Sequence, residues 1–257
     1  MIKLHELSFA YPQSNPIFDS FEWQVNAGTM WSVLGPSGCG KTTLLYLLAG
    51  LRFPSAGQVL IHGEELHRPR PRTGLILQDY GLLPWANVWE NAALGLRVRG
   101  FYGPDGTHAP RDEIIKRLHD HVDPWLDRLG LSVVAQDYPG QISGGQRQRT
   151  AIARTLVMKP DLLLMDEPFA SLDAPTRESL QNLILTLQQE ETLTCVTVTH
   201  TIEEAVILGE RILILGKGSN SQARIMENPQ AQDPNFRDSP TYVSRVRELR
   251  LILEGLV

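Results

Sequence analysis

The sequence predicts an α/β fold built on a mostly parallel sheet with helices on both faces. Short, near-continuous apolar runs recur at Met30–Leu34 (MWSVL), Leu162–Met165 (LLLM), Cys195–Thr199 (CVTVT) and Arg211–Leu215 (RILIL). Strands buried on both faces read this way, whereas half-exposed strands alternate. Helical stretches separate these runs, as expected when crossovers join parallel strands. The first run leads directly into GPSGCGKTTLLYLLAG, a strand, a glycine-rich loop and a helix in succession.

Each element follows from its residues. Ile2–Phe9, Phe21–Val25 and Val59–His62 are extended candidates separated by Pro, Asn and Gly turns. A helix is expected to start near Lys41. The region Val88–Arg128 is helical in pattern but interrupted, with GFYGPDGTHAP (residues 100–110) as a Gly/Pro-rich surface loop. Ser143 is a good N-cap for a helix running through TAIARTLVM, which Lys159 and Pro160 end. The run at 162–165 closes on Asp166 and Glu167, and the run at 195–199 closes on His200. After Asn228 the chain is polar and then weakly helical, with RVRELRLILEGL near the end. No internal repeat or low-complexity tract is present.

Composition narrows the function. The 257 residues carry a formal net charge of -5 with no dominant block of like charge, which argues against a dedicated nucleic-acid binder. Cys39 and Cys195 are far apart and lack metal-site spacing, so a reducing compartment fits best. MIKLHELSFAY lacks the apolar core of a signal peptide. No run of about 18 apolar residues occurs, so no membrane-spanning helix is expected. Attachment to a membrane protein remains open.

The chemistry concentrates at three strand ends. Gly35–Thr42 (GPSGCGKT) matches a phosphate-binding loop. Its glycines let backbone N–H groups turn inward, and the helix that follows adds the positive end of its dipole. Lys41 is expected to reach the β- and γ-phosphates and the Thr42 hydroxyl to ligate Mg²⁺. Asp166 is the expected second Mg²⁺ contact, and Glu167, pointing differently, can act as general base on water. The carboxyl ends of parallel strands share one rim, so His200 is expected near both. His5, His62, His67, His108, His119 and His121 have no such placement. A second anion site is expected where Gly144 and Gly145, behind Ser143, leave bare N–H groups at a helix start. One nucleotide needs only one such site. A symmetric pair of chains would let the Ser143 site of one copy close over the nucleotide of the other.

Together these residues resemble the ATP-binding subunit of an ABC transporter. GPSGCGKTT resembles Walker A, LLLMDEP resembles Walker B, ISGGQ resembles the signature, Ser171–Asp173 (SLD) the D-loop and His200 the switch histidine. Gln78 matches the Q-loop, and Tyr11 matches the aromatic that stacks on adenine. The resemblance implies a P-loop NTPase core of the ABC ATPase type, with an antiparallel β lobe and a helical subdomain. Residues 1–220 would form that domain, with the helical subdomain at about 85–158 and a helical tail over 221–257. It implies ATP and Mg²⁺ as ligands and Glu167, His200 and Gln78 as catalytic groups. Nucleotide contacts would come from Tyr11, Gly35, Pro36, Ser37, Gly38, Cys39, Gly40, Lys41, Thr42 and Thr43. Ser143, Gly144, Gly145, Gln146 and Asp173 would add to them across a head-to-tail homodimer. Thr42, Gln78 and Asp166 would serve the metal.

Further implied partners are two integral-membrane permease subunits and, indirectly, a solute-binding protein, with the chain peripheral at the cytoplasmic face of the membrane and no nucleic acid involved. YGLLPWANVWENAALGL, THTIEEAVILGERILIL and DSPTYVSRVRELRLIL resemble the importer group for nitrate, sulfonate, taurine and bicarbonate. Importers of pyrimidine precursors share these features, and a non-transport ABC ATPase is the alternative of a different class. The departures are Ile142 where leucine is usual, Thr201 where aspartate often follows the histidine, and a longer loop at 102–110. That loop is either solvent-facing or a partner contact. Trp85 and Trp89, spaced i,i+4, suit core packing or a permease contact equally, whereas Trp23 and Trp31 suit the core.

Overall fold

Alternating burial makes the first residues a strand, with Ile2, Leu4, Leu7 and Phe9 turned inward along β1 (Ile2–Phe9). β2 (Phe18–Val25) repeats the pattern with Phe18, Phe21, Trp23 and Val25. The computed structural model describes residues 1–113, 115–233 and 235–255. Next in chain order come β3 (Met30–Leu34), α1 (Lys41–Leu48), β4 (Ala56–Ile61), β5 (Glu64–Glu65) and β6 (Thr73–Ile76). Three helices follow, α2 (Val88–Tyr102), α3 (His119–Arg128) and α4 (Gly144–Leu156). Then come β7 (Leu162–Asp166), α5 (Ala174–Glu191), β8 (Thr194–Thr199), α6 (Ile202–Leu208) and β9 (Arg211–Ile214). The chain finishes with β10 (Asn220–Gln222), β11 (Arg224–Glu227) and α7 (Pro240–Glu254).

The chain divides into two compact units. The first holds Met1–Pro69, Leu164–Glu167 and the chain from Ile184 onward. One of its sheets runs β10–β2–β1–β4–β5, antiparallel except where β10 joins β2. The other carries β11–β9–β3–β8–β7, with β3 parallel to both β8 and β9 and β11 antiparallel at the edge. β3, β7 and β8 are buried throughout, which is why their sequences show no alternation. α1 buries Leu44, Leu45, Leu47 and Leu48, each worth about 1.5–3 kcal/mol of transfer free energy. Trp23 and Trp31 meet edge to face at 5.2 Å in the core, as expected.

The second unit holds Arg70–Leu163 and Pro168–Leu183. Helices α2, α3 and α4 pack on one another there, and β6 lies against α4. Asn87 and Glu90 form a reciprocal capping box at the start of α2. Arg99, 1% exposed, donates to Glu113 Oε1 at 2.5 Å, to Met158 O at 3.0 Å and to Pro71 O. A buried charge is tolerated because these acceptors replace water.

Several sequence expectations are corrected. The strand expected from Phe21 begins at Phe18, the one expected at Val59–His62 spans Ala56–Ile61, and the one expected to reach Leu215 ends at Ile214. The loop expected from Gly100 begins at Gly103, because α2 continues through Tyr102. In that loop the Asp105 carboxylate accepts from the backbone N–H groups of Thr107, His108 and Ala109. Trp85 and Trp89 do not share a helix, since α2 starts at Val88 under its Asn87 cap. Trp85 is 74% exposed, while Trp89 Nε1 donates to Asp123 at 2.7 Å. The helix expected near the end is α7, capped by Ser239, and residues 234, 256 and 257 of the proposed tail lie outside the described residues. Among the described residues no helix is long and apolar enough to cross a membrane.

Candidate functional site

The pairing of Leu34 with Thr199 levels the ends of β3 and β8. The residues that follow, Gly35 and His200, therefore leave the sheet on one rim. From Gly35 the loop runs to Gly40, and α1 starts at Lys41, where the sequence places it. Gly40 has φ 105°, a conformation that L side chains rarely adopt, and a Cβ there would lie 2.3 Å from Ile17 Cγ2. Lys41 is buried, and its Nζ donates to Gly35 O at 2.8 Å and Pro36 O at 3.1 Å, which sets the ammonium inside the loop. Gly40→Ala is expected to cost about 1–3 kcal/mol of stability from backbone strain, read by urea titration, and to weaken nucleotide binding. Wild-type values for both would contradict this geometry.

β7 delivers Asp166 to the same rim. The Thr42 hydroxyl donates to Asp166 Oδ1 at 3.3 Å. Burial holds the Asp166 carboxyl above the usual carboxylate range, offset in part by the Thr42 hydrogen bond and by Lys41. Glu167 takes a left-handed backbone at φ 44°, and its N–H donates to Val198 O at 2.9 Å. Non-glycine residues hold this conformation only where their surroundings over-determine it, and such places cluster at functional sites. The Glu167 carboxylate faces His200, with His200 Nδ1 3.0 Å from Glu167 Oε1. Tyr11, Ser37, Lys41, Thr42, Glu167 and His200 line one cavity of about 670 Å³. Tyr11 is steadied by an edge contact with Phe9 at 5.1 Å and a 3.3 Å hydrogen bond to Thr43.

The wiring behind the histidine uses Thr199 and Glu204. Thr199 donates its hydroxyl to Glu204 at 2.9 Å and accepts from the Thr201 N–H at 3.1 Å. Thr201 contributes its backbone there and caps α6 without a side-chain bond. A residue the sequence did not flag is Asn220, whose Nδ2 donates to Cys39 O and Ile17 O at 3.3 Å each. It braces the phosphate loop from the far end of the chain, and nothing in the stretch GKGSN signals that.

The second unit carries the remaining candidates. Ser143 caps α4 as the sequence implies: its Oγ accepts from the Gln146 N–H at 3.2 Å, and the Gln146 side chain accepts from the Ser143 N–H at 2.8 Å. Gly144 and Gly145 form the first turn. A Cβ on Gly145 would lie 2.7 Å from Thr176 Cγ2, so close packing alone requires that glycine. A Cβ on Gly144 would meet nothing nearer than Leu172 Cδ2 at 3.5 Å, so packing does not account for that glycine. Asp173 accepts from the Thr176 N–H at 3.0 Å, which holds its carboxyl below the usual range. Gln78 is exposed just beyond β6.

The donor set suits a hard cation. Thr42 and Asp166 offer oxygen ligands side by side, as Mg²⁺ prefers. Among the described residues no group of three or more His, Cys, Asp or Glu side chains is placed to hold a metal.

Residues 18–170 match the sequence family described as ABC transporter. The ABC transporter ATP-binding protein MJ0412 of Methanocaldococcus jannaschii is 42% identical over 197 residues, covering 77% of this chain and 69% of that protein. The sulfate/thiosulfate import ATP-binding protein CysA of Pseudomonas aeruginosa is 40% identical over 82% of this chain and 64% of its own length. The aliphatic sulfonates import ATP-binding protein SsuB of Bacillus cereus is 37% identical over 82% of this chain and 78% of its own. Among solved structures, the dimeric bacterial ABC transporter cassette MJ0796 superposes with a TM-score of 0.72 at 29% identity, over 88% of this chain and 98% of that one. The fold of cbiO1 from Clostridium perfringens gives a TM-score of 0.75 at 23% identity, over 97% of this chain and 98% of that one.

Proposed function

This chain belongs to the ABC transporter family and carries its ATP-binding, ATP-hydrolysing domain, and we propose that it energises an importer of small anions of the sulfonate, sulfate or nitrate kind. The observation that carries the hydrolytic part is the meeting of Lys41, Glu167 and His200 in one cavity, with Glu167 and His200 3.0 Å apart. Lys41 and the loop N–H groups bind the phosphates of ATP. Thr42 and Asp166 would hold Mg²⁺, with Gln78 as a further ligand, and the metal would neutralise charge on the phosphate oxygens. Glu167 accepts a proton from the attacking water. His200 orients that carboxylate and presents its ring to the γ-phosphate.

Two copies are proposed to pair head to tail, so that Ser143–Gln146 and Asp173 of one complete the site of the other. The ATPase domain is taken as residues 1–220, with a helical subdomain at about 85–158 and the tail beyond. In this reading the pair sits peripherally on the cytoplasmic face of the membrane, against two permease subunits. The cargo class follows from the likeness to import proteins for sulfate/thiosulfate and aliphatic sulfonates.

The test is co-purification with the candidate permease in nanodiscs, followed by ATPase rates with each binding protein loaded with sulfonate, sulfate, taurine or nitrate. Stimulation by one loaded binding protein is the expected result. Brisk ATPase activity with no permease association would replace this reading with a non-transport ATPase. Stimulation only by a pyrimidine precursor would move the cargo class.

A further inference from the structure

Tyr80 follows Gln78 by two residues and stands in an unusual conformation. Its φ is 65°, the left-handed region, which costs an aromatic residue about 1–2 kcal/mol. The residue is nonetheless buried, at 7% exposure. Its phenol and the Ser171 hydroxyl are 2.6 Å apart. Arg154 holds the backbone on either side of the next peptide bond, donating Nη2 to Tyr80 O at 2.5 Å and Nη1 to Gly81 O at 2.6 Å. Burial lowers the affinity of that guanidinium for its proton, and the Asp79 carboxylate offsets part of the loss. These contacts all lie within the second unit.

The three anchored segments are the ones the proposed site draws from this unit. Tyr80 belongs to the segment of Gln78. Arg154 belongs to α4, whose first turn is Gly144–Gln146. Ser171 opens the stretch that ends at Asp173. A phenylalanine would fill the same space, so packing does not require the hydroxyl. A strained backbone held by two charge-assisted hydrogen bonds, with a phenol pointed at a specific serine, is a costly arrangement for packing alone.

We propose that Tyr80 is a positioning residue for ATP hydrolysis: its phenol ties the Ser171–Asp173 loop to the Gln78 segment, and Arg154 keeps that tie in register with α4. This rests on the assignment of Gln78, Ser143–Gln146 and Asp173 to the nucleotide site. The tie transmits the position of Asp173, set by the second copy, to Gln78 within the same chain. Breaking it leaves ATP binding intact and uncouples the two sites of the dimer.

The test uses the full chain with Mg-ATP and compares Tyr80→Phe, Ser171→Ala, the double variant and Ser171→Thr. The expected kcat loss in each single variant is about 3- to 10-fold, the scale of one part-buried hydrogen bond. KM for ATP is expected to stay within about twofold of wild type, as for an interaction realised after binding. The Hill coefficient is expected to fall toward unity. The double variant should be no slower than either single variant, and Ser171→Thr should restore turnover. Wild-type kcat in Tyr80→Phe and Ser171→Ala, or losses that multiply in the double variant, would overturn the inference. Lys41→Ala is measured alongside. If it binds ATP normally, the site assignment itself fails; if it loses binding while Tyr80→Phe changes nothing, only the role of Tyr80 fails.

Discussion

Glu167→Gln is expected to slow ATP turnover by about 10²- to 10⁴-fold while leaving ATP binding near wild type. The substitution keeps the shape of the side chain and removes its capacity to accept a proton. It also keeps an oxygen facing His200 Nδ1, which lies 3.0 Å away in the native chain. The strained backbone at φ 44° is held by the N–H to Val198 O, which glutamine retains. Binding depends on the loop and Lys41, and neither is touched. With hydrolysis blocked, bound ATP should hold two copies together, so ATP-dependent dimerisation by light scattering should rise as the steady-state rate falls. A variant with wild-type turnover would remove Glu167 from the role of base.

Lys41→Ala is expected to weaken ATP binding by roughly 10- to 150-fold, the equivalent of one charge-assisted hydrogen-bond set. Lys41 is only 8% exposed, and its ammonium stands 2.8 Å from Gly35 O. Its loss removes both the counter-charge for the phosphates and the brace that ties α1 to the mouth of the loop. Arginine would not substitute well, because the buried space is shaped for a compact ammonium and the guanidinium is broader. Titration with a fluorescent ATP analogue measures the effect. Unchanged affinity would overturn the assignment of the phosphate site to this loop.

The parallel core was legible because burial on both faces leaves a direct trace in composition. Met30–Leu34 and Leu162–Asp166 have no exposed residue, so their apolar runs announce them. β5, β6, β10 and β11 leave no such trace. Thr73–Ile76 contains a glycine, and Asn220–Gln222 is short and polar throughout. The candidate site was legible where chemistry dictates residue type at fixed spacing, as in Gly35–Thr42. It was not legible where a distant residue supplies support. The bonds from Asn220 to Cys39 and from Tyr80 to Ser171 depend on how the chain returns on itself. Gly145 shows the reverse case: its residue type suits a bare N–H at a helix start, yet the nearness of Thr176 would select glycine there without any ligand.

The bond from Asn220 to the carbonyl of Cys39 spans 181 residues of sequence. During synthesis the phosphate loop leaves the ribosome long before its brace exists. At about 5–20 residues per second, the interval is roughly 10–35 s. For that time β3 also lacks its parallel neighbours β8 and β9, which lie in the last third of the chain. The nascent chain therefore carries an apolar segment with two open edges until β8 and β9 have been made, and the brace on the phosphate loop arrives only with β10.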